Sequence, residues 1–291
     1  MQDATQPSPP GTLAIVATPI GNLRDITLRA LDVLRAADVI AAEDTRNSQH
    51  LLSAYGIQAK LVAVHEHNEA AAAGRIVEDL QAGKRVAYIS DAGTPGLSDP
   101  GARLVQAVRA AGLPVMPVPG ASALASAISV SGLEGGFLFQ GFLPPKATAR
   151  RKVLEDLRDL PTALVFYEAP HRIEDTVADL AQVLGGEREI LFAREITKKF
   201  EQLHACPLAE ATAWLAADDN HRRGEFVLVV WPPAAKVNAA EEADGEGRRV
   251  LEILLAELPL KQAAQLAVKL TGGRKNELYE LALRLKNETE K

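Results

Sequence analysis

The sequence predicts an α/β fold in two domains, a parallel-sheet N-terminal domain and a mixed-sheet second domain, with a small helical module at the C-terminus. Three observations predict it. Short apolar runs alternate with helical patterns from Leu13 to Val118, and the runs are continuously apolar, as strands covered on both faces of a parallel sheet are. From Gly136 onward the strand-like runs lie closer together and are less regularly separated by helices, which points to a mixed sheet. After Trp231 the segment PPAAKVNAAEEADGEG holds no hydrophobic pattern, and three helical patterns follow it.

The elements follow in chain order. The N-terminus, MQDATQPSPP, has neither a positive region nor an apolar one and reads as a disordered lead-in over residues 1–11. Leu13 to Ala17 is strand-like and runs into the turn-rich TPIGN. Leu28, Leu31 and Leu34 give helical spacing to a helix from about Asp25 to Ala36. Val39 to Ala42 is the next strand, and the helix after it begins near Thr45 and ends at Gly56. Leu61 to Val64 precedes an alanine-rich helix that ends near Gly83; Val86 to Ser90 leads into SDAGTPGLSDPG. A helix from Ala102 to Ala111 stops at Gly112, and Val115 to Val118 leads into PGASA. These residues, 12–133, form the first domain.

The second domain, 134–231, starts with strands FLFQGF and TALVFYE; Pro170 is placed as the first residue of a helix carrying Ile173, Val177, Leu180 and Leu184. REILFAREITKKFEQL, a short helix around Trp214 and GEFVLVVW complete it. Residues 232–247 read as a linker and 248–291 as a three-helix module.

Composition narrows the function. The 291 residues are 47% hydrophobic and 24% charged, with a formal net charge of −6, so no global positive field attracts polyanions and any such partner needs local basic patches. The single cysteine, Cys206, excludes an internal disulfide framework and a cysteine-based zinc site, and the histidines show no HExxH spacing, so no metal is expected. No run approaches the ~18 apolar residues of a membrane span. A soluble, cytoplasmic protein without a membrane partner is expected.

Three turn-rich loops, TPIGN, SDAGTPGLSDPG and PGASA, follow strands of one parallel sheet, so all three belong at its carboxyl edge, where such sheets bind ligands. In the second loop Gly93, Gly96 and Gly101 are spaced GxxGxxxxG, which is neither a dinucleotide fingerprint nor a P-loop, and the loop has no lysine. It suits close backbone approach to something other than a polyphosphate. Asp91 and Asp99 would repel phosphate and accept a cation or ribose hydroxyls. A lone Gly-Pro loop is more often a plain turn, with Asp99 capping the following helix; three such loops on one edge tilt the balance toward a site.

The segments VATPIGNLRDITLRAL, AAEDTR, SDAGTPGLSDPG, PGASA, FLPPKATARRK, YEAPHR, REITKKFEQ and GEFVLVV together resemble the tetrapyrrole methylase superfamily, and within it the branch that methylates small-subunit ribosomal RNA. The similarity spans roughly residues 12–231, and the terminal helices resemble the helix-turn-helix-like module of that branch. Other members of the superfamily methylate corrins, sirohaem precursors and diphthine. The resemblance implies the two-domain tetrapyrrole methylase fold, a homodimer, and an S-adenosyl-L-methionine site in the cleft between the domains. It implies cofactor contacts from Pro19, from Asp91, Ala92, Gly93 and Gly96, from Ser122 and Ala123, and from Tyr167, Glu168 and Thr197. TPIGN stands where many members have a GxGPGD-like loop, which leaves Asn22 without an assigned role.

The implied reaction is methyl transfer to the ribose 2′-hydroxyl of cytidine 1402 in 16S rRNA, within the small ribosomal subunit. A ribose hydroxyl is a poor nucleophile, so a base or a charge that stabilises the developing alkoxide should help positioning. Candidate catalytic groups are Lys198 and Glu168 foremost, with Asp44, Arg46, Glu195, His171 and Arg172; Glu43 lies beside them in sequence. Each has an equally weighted structural reading, as an interdomain ion pair or a helix cap. For RNA, Lys146, Arg150, Arg151 and Lys152 place four cations in seven residues with no acid among them. The helical module, with nine Lys/Arg against seven Asp/Glu over residues 246–291, suits RNA or a dimer partner equally.

Other readings stay open: a small-molecule methyltransferase of the same fold, or a non-catalytic RNA-binding relative. A nicotinamide-dependent oxidoreductase is disfavoured by the missing GxGxxG.

Overall fold

The computed structural model describes residues 8–65, 68–233, 239–272 and 274–289. The chain divides into two compact units, the first ending at Pro232 and the second beginning at Pro233. None of the described helices is long and apolar enough to cross a membrane.

The first unit holds two five-stranded sheets. The first consists of β1 (Leu13–Val16), β2 (Val39–Ala42), β3 (Lys60–Ala63), β4 (Val86–Ile89) and β5 (Val115–Val118), in the order β3-β2-β4-β1-β5. Every pairing is parallel. The connecting helices are α1 (Leu28–Ala36), α2 (Thr45–Ala54), α3 (Glu69–Gln81) and α4 (Ala102–Ala110). They sit on both faces, which explains the unbroken apolar strands. Leu13, Val39, Val86 and Tyr88 pack on one face against Ile76, Leu80, Leu104 and Val108. Ala14, Ile40, Ala87 and Ile89 pack on the other against Val33, Leu34 and Leu52. In an all-parallel sheet every strand leaves at the same edge, so the loops after β1, β4 and β5 meet there. Thr18 and Gly93 form a two-way backbone bridge between the first two, and Thr94 Oγ1 donates to Ala121 O of the third at 3.0 Å.

The second sheet is mixed, as the sequence predicts. It consists of β6 (Phe137–Phe142), β7 (Ala163–Glu168), β8 (Glu189–Arg194), β9 (Gln202–Pro207) and β10 (Phe226–Val230), in the order β6-β7-β10-β8-β9. Only β6 and β7 pair in parallel. Its outer face packs on α6 (Ala147–Leu157), α7 (Ile173–Leu184) and α8 (Leu208–Ala217). Its inner face receives α5 (Ala123–Ser131), whose Ala127 is fully buried against Val165, Leu191, Val227 and Val229. The helix after the third ligand loop is thereby anchored on the second sheet. This joins the two sheets at the carboxyl edge.

Local expectations fail in four places. The first helix opens as a 3-10 turn, Leu23–Asp25, capped by Asn22, and α1 starts only at Leu28, capped by Thr27. Asp99 does not cap α4; the buried Glu69 carboxylate reaches over from α3 and accepts from Gly101 N at 3.1 Å and Leu104 N at 3.0 Å. Pro170 lies in a turn, and α7 begins at Ile173. The lead-in is packed from residue 8: Ser8 is 1% exposed and its carbonyl accepts from Arg85 Nε at 2.9 Å, while residues 1–7 lie outside the described residues.

The second unit is three helices, α9 (Ala239–Glu257), α10 (Leu260–Thr271) and α11 (Lys275–Thr289), around Leu251, Ala264, Ala267 and Leu278. Part of the expected linker is helical, since α9 begins at Ala239; the Ala and Glu residues there favour helix strongly enough to carry Gly245 and Gly247. A side chain at Gly247 would stand 2.8 Å from Leu278, so the glycine permits the close approach of α11. Residues 234–238 of that segment lie outside the described residues.

Candidate active site

The two sheets face each other across a cavity of about 250 Å³. Ala92, Gly93, Thr94, Leu97, Ser98 and Asp99 form one wall, and Ser122 and Ala123 at the start of α5 extend it. The opposite wall is the near edge of the second sheet. Because β10 runs antiparallel to β7 and β8, its start pairs with their ends: Phe226 sits opposite Glu168 and Arg194. That register brings Tyr167, Glu168, Glu195, Lys198 and Glu225 to one rim.

Glycines shape the floor. Gly93 has φ +80°, and a Cβ there would meet Ile20 Cγ2 at 3.2 Å with Ala121 O at 3.8 Å, so the backbone faces the cavity without a side chain. A Cβ on Gly21 would stand 2.3 Å from Lys198 Cγ. The aliphatic stem of Lys198 therefore lies across the first ligand loop and closes the cavity from that side.

Lys198 has the most constrained cation at the site. Its ammonium donates to Glu195 Oε1 at 2.8 Å and Glu225 Oε2 at 2.7 Å. Glu195 in turn accepts from Glu225 N at 2.9 Å, and Gly224 leaves room for its side chain. Burial alone would lower the Lys198 pKa, but the two carboxylates outweigh it and the net shift is upward. Burial would likewise raise Glu195; the Lys198 ammonium and the Glu225 N–H reverse that and hold it below the usual carboxylate range. The lysine is a fixed ammonium at neutral pH, suited to stabilising negative charge and unsuited to removing a proton.

Glu168 is buried, 1% exposed, and fully engaged: it accepts from Ala169 N at 2.8 Å and Thr176 Oγ1 at 2.6 Å, and Arg172 Nε stands 3.4 Å away. It ties the end of β7 to α7. Arg172 also donates to Leu143 O at 2.5 Å, whereas His171 is exposed and outside the cavity. Tyr167 lines the cavity, and its oxygen accepts from Leu124 N at 3.2 Å. Thr197 sits behind the rim with φ +65°, its Oγ1 buried and without a partner among the described residues.

Several expected site residues stand apart from the cavity wall. Pro19 is buried beneath Ile20, which provides the lining side chain, and Gly96 is exposed with open space where a Cβ would go. Asp91 turns away to hold the start of α2, accepting from Asp44 N at 3.1 Å and Asn47 Nδ2 at 2.9 Å. Asp44 caps α2 through Arg46 N at 2.8 Å and pairs with the Arg46 guanidinium, which holds its carboxyl below the ordinary value; the Arg46 side chain is 88% exposed. The basic cluster splits. Lys146, Arg151 and Lys152 are exposed, but Arg150 is 3% exposed and its Nε sits 2.6 Å from Asp179, which also takes Arg151 at 2.6 Å. Arg150 is a core residue of the second sheet's helical layer and is not available to RNA. Its spacing four before Leu154 on α6, both buried, was the signal for an inward face.

The structure puts Asp99, read from the sequence as either a helix cap or a ligand contact, on the cavity wall, and adds residues not foreseen. Asp99 lines the cavity with its pKa pushed up to about 6, first by burial, then by Glu43 and Asp91, against a lowering influence of the nearby Ser90 hydroxyl. Glu225, Phe142 and Val227 line it too. A charged residue directly before the apolar run FVLVV was the available hint for Glu225.

Comparison with known proteins bears directly on this cavity. The family model for Tetrapyrrole (Corrin/Porphyrin) Methylases matches residues 12–212. The chain belongs to this family. Residues 241–286 match the model described as the RsmI C-terminal HTH domain. Along nearly its whole length the chain is similar to proteins named ribosomal RNA small subunit methyltransferase I. It is 52% identical to that of Pseudomonas aeruginosa over 277 residues, covering 94% of this chain and 97% of the relative. It is 47% identical to that of Escherichia coli O157:H7 over 274 residues, covering 94% and 95%.

Among solved structures, the cobalt precorrin-4 methyltransferase CbiF shares the fold with a TM-score of 0.57 at 16% identity, over 75% of this chain and 94% of that one. The uroporphyrin-III C-methyltransferase of Thermus thermophilus, solved with S-adenosylhomocysteine, gives 0.54 at 18%, over 76% and 97%. The tetrapyrrole methylase fold expected for the family, with a parallel five-stranded sheet, a mixed second sheet and terminal helices, is the fold observed.

Proposed function

We propose that the chain is an S-adenosyl-L-methionine-dependent methyltransferase that modifies the ribose 2′-hydroxyl of cytidine 1402 in 16S rRNA, acting as a homodimer on the small ribosomal subunit. The observation that carries it is the 52% identity, over nearly full length, to a protein that bears the small-subunit rRNA methyltransferase name.

The residues present fit the cofactor. Ala92 and Gly93 offer backbone without lysine, which suits an uncharged nucleoside and amino-acid chain rather than a polyphosphate. The acids Glu43 and Asp91 crowd one side, and burial together with Asp91 raises the Glu43 pKa, a charge imbalance that a sulfonium and an ammonium would relieve. The buried, unpartnered Thr197 Oγ1 supports a further polar contact. When bound, S-adenosylmethionine supplies an electrophilic methyl group. Lys198 is suited to stabilise alkoxide character on the attacking oxygen, and Glu195 and Glu225 keep its ammonium in place. Glu168 acts through the β7–α7 junction it holds. Lys146, Arg151 and Lys152 supply sequence-independent phosphate contacts, leaving the cavity to select the reacting ribose.

Calorimetry tests the cofactor assignment. S-adenosylmethionine and S-adenosylhomocysteine should bind, and NAD should not. Gly93→Val should abolish binding in a folded protein, because the side chain would enter the cavity against Ile20. Unchanged affinity in that variant would remove the second loop from the site.

A further inference from the structure

Every other acid on the cavity wall is committed elsewhere. Glu168 accepts from Ala169 N and Thr176 Oγ1, Glu195 is held by Lys198 and the Glu225 N–H, and Glu225 pairs with Lys198. Outside the wall, Asp44 and Asp91 are spent on α2. Asp99 differs: among the described residues it accepts no backbone N–H and pairs with no cation, and the nearby Ser90 hydroxyl donates to Ala92 O at 3.4 Å. Its placement is also enforced. The preceding Ser98 holds a left-handed backbone, φ +61°, and packs on Gly141 of β6, where a Cβ would stand 2.4 Å from Ser98 Oγ. Pro100 follows. A strained non-glycine residue clamped by the opposite sheet aims one uncommitted carboxylate into the cavity.

We propose that Asp99 is the general base of the transfer, its carboxylate taking the proton from the ribose 2′-hydroxyl as that oxygen attacks the methyl group. This rests on the 2′-O-methylation reading above. The step balances: the O–H bond breaks toward Asp99, the O–C bond forms and the C–S bond breaks. The sulfonium's positive charge and the carboxylate's negative charge both disappear, and Lys198 remains an ammonium throughout. The groups that act electrostatically on Asp99 are acidic or neutral: Glu43 from the loop after β2, Asp91 and Ser90 after β4, Tyr88 within β4, and Tyr167 at the end of β7. Burial first, then Glu43 and Asp91, brings the carboxyl to about 6, so it is ionised yet a competent proton acceptor at neutral pH. A carboxylate at the ordinary value near 3.8 would be a weaker one.

The test is the pH dependence of single-turnover methylation of small ribosomal subunits by the full-length protein, wild type against Asp99→Asn. Wild-type kcat/KM should fall below about pH 6, and the variant should lose that limb and be slower by ~10²-fold or more at about pH 8. Calorimetric affinity for S-adenosylmethionine should change by less than about threefold, since the loss lies in the transition state. Carbon-13 NMR of the ligand-free wild type should show the Asp99 carboxyl titrating near 6. Asp99→Glu, which keeps a carboxylate, should recover part of the turnover and restore an acid limb.

Near-normal kcat in a folded Asp99→Asn at about pH 8 overturns the proposal. So does lost affinity with kcat preserved at saturating cofactor, which would make Asp99 only a counter-charge. The wild-type arm separates the two levels: no ribose methyl there overturns the function itself, whereas a normal variant overturns only the base.

Discussion

At the scale of single residues, the site is a set of charges whose partners decide their roles. Lys198 has two carboxylates and Asp99 has none, so one is locked as an ammonium and the other is held near its titration point. Such an unpaired, partly buried carboxylate should weaken the fold. Below about pH 4 Asp99 is protonated in both folded and unfolded chains and contributes nothing. Between its ordinary 3.8 and about 6 the folded state holds a proton the unfolded state has released, so stability falls as pH rises through that window and the penalty is complete above it. Asp99→Asn should therefore stabilise the protein at about pH 7.5, on the order of 1 kcal/mol after discounting for solvent screening, and leave stability unchanged near pH 3.5. Thermal melts of both proteins across that range check it; equal melting temperatures at pH 7.5 would place the carboxylate in a better-solvated setting. This role for Asp99 was not legible in the sequence. A residue before Pro100 and a helix looks like a cap, and only the arrival of Glu69 from α3 leaves it free.

At the scale of elements, α6 shows how a charge cluster divides. Lys146, Arg151 and Lys152 face solvent, while Arg150 and Asp179 form a buried pair between α6 and α7. Reversing Lys146 and Lys152 to Glu should weaken RNA binding and reduce the salt slope by roughly 1–2, with cofactor affinity unchanged. An unaltered slope would mark these cations as ordinary solvated surface. Arg150→Ala should instead cost ~3 kcal/mol of stability by leaving Asp179 half-paired in the interior, a loss that denaturant unfolding would register. The strands and their edge were legible, because continuous apolar runs and turn-rich loops are local signals. The near edge of the second sheet was less so. Glu225 reaches the cavity only through the antiparallel register of β10 with β7 and β8, which pairs residues dozens of positions apart.

At the scale of the whole molecule, a chain of net charge −6 is assigned a polyanionic substrate, and the reconciliation is local. Basic side chains gather on α6, acidic ones line the cavity, and a separate helical unit follows Pro233. The division suits an enzyme whose docking surface and reaction chamber need opposite potentials. Ribose methylation of the small-subunit RNA is checked by nuclease mapping and mass spectrometry. The comparison is of 16S rRNA from cells lacking the gene and from the same cells carrying it back as wild type or Lys198→Ala. 2′-O-methylation at cytidine 1402 should disappear with the gene, return with the wild type, and stay largely absent with the variant. An unchanged ribose methyl in the deleted strain, or a methyl restored on the cytosine ring instead, would contradict the proposed function.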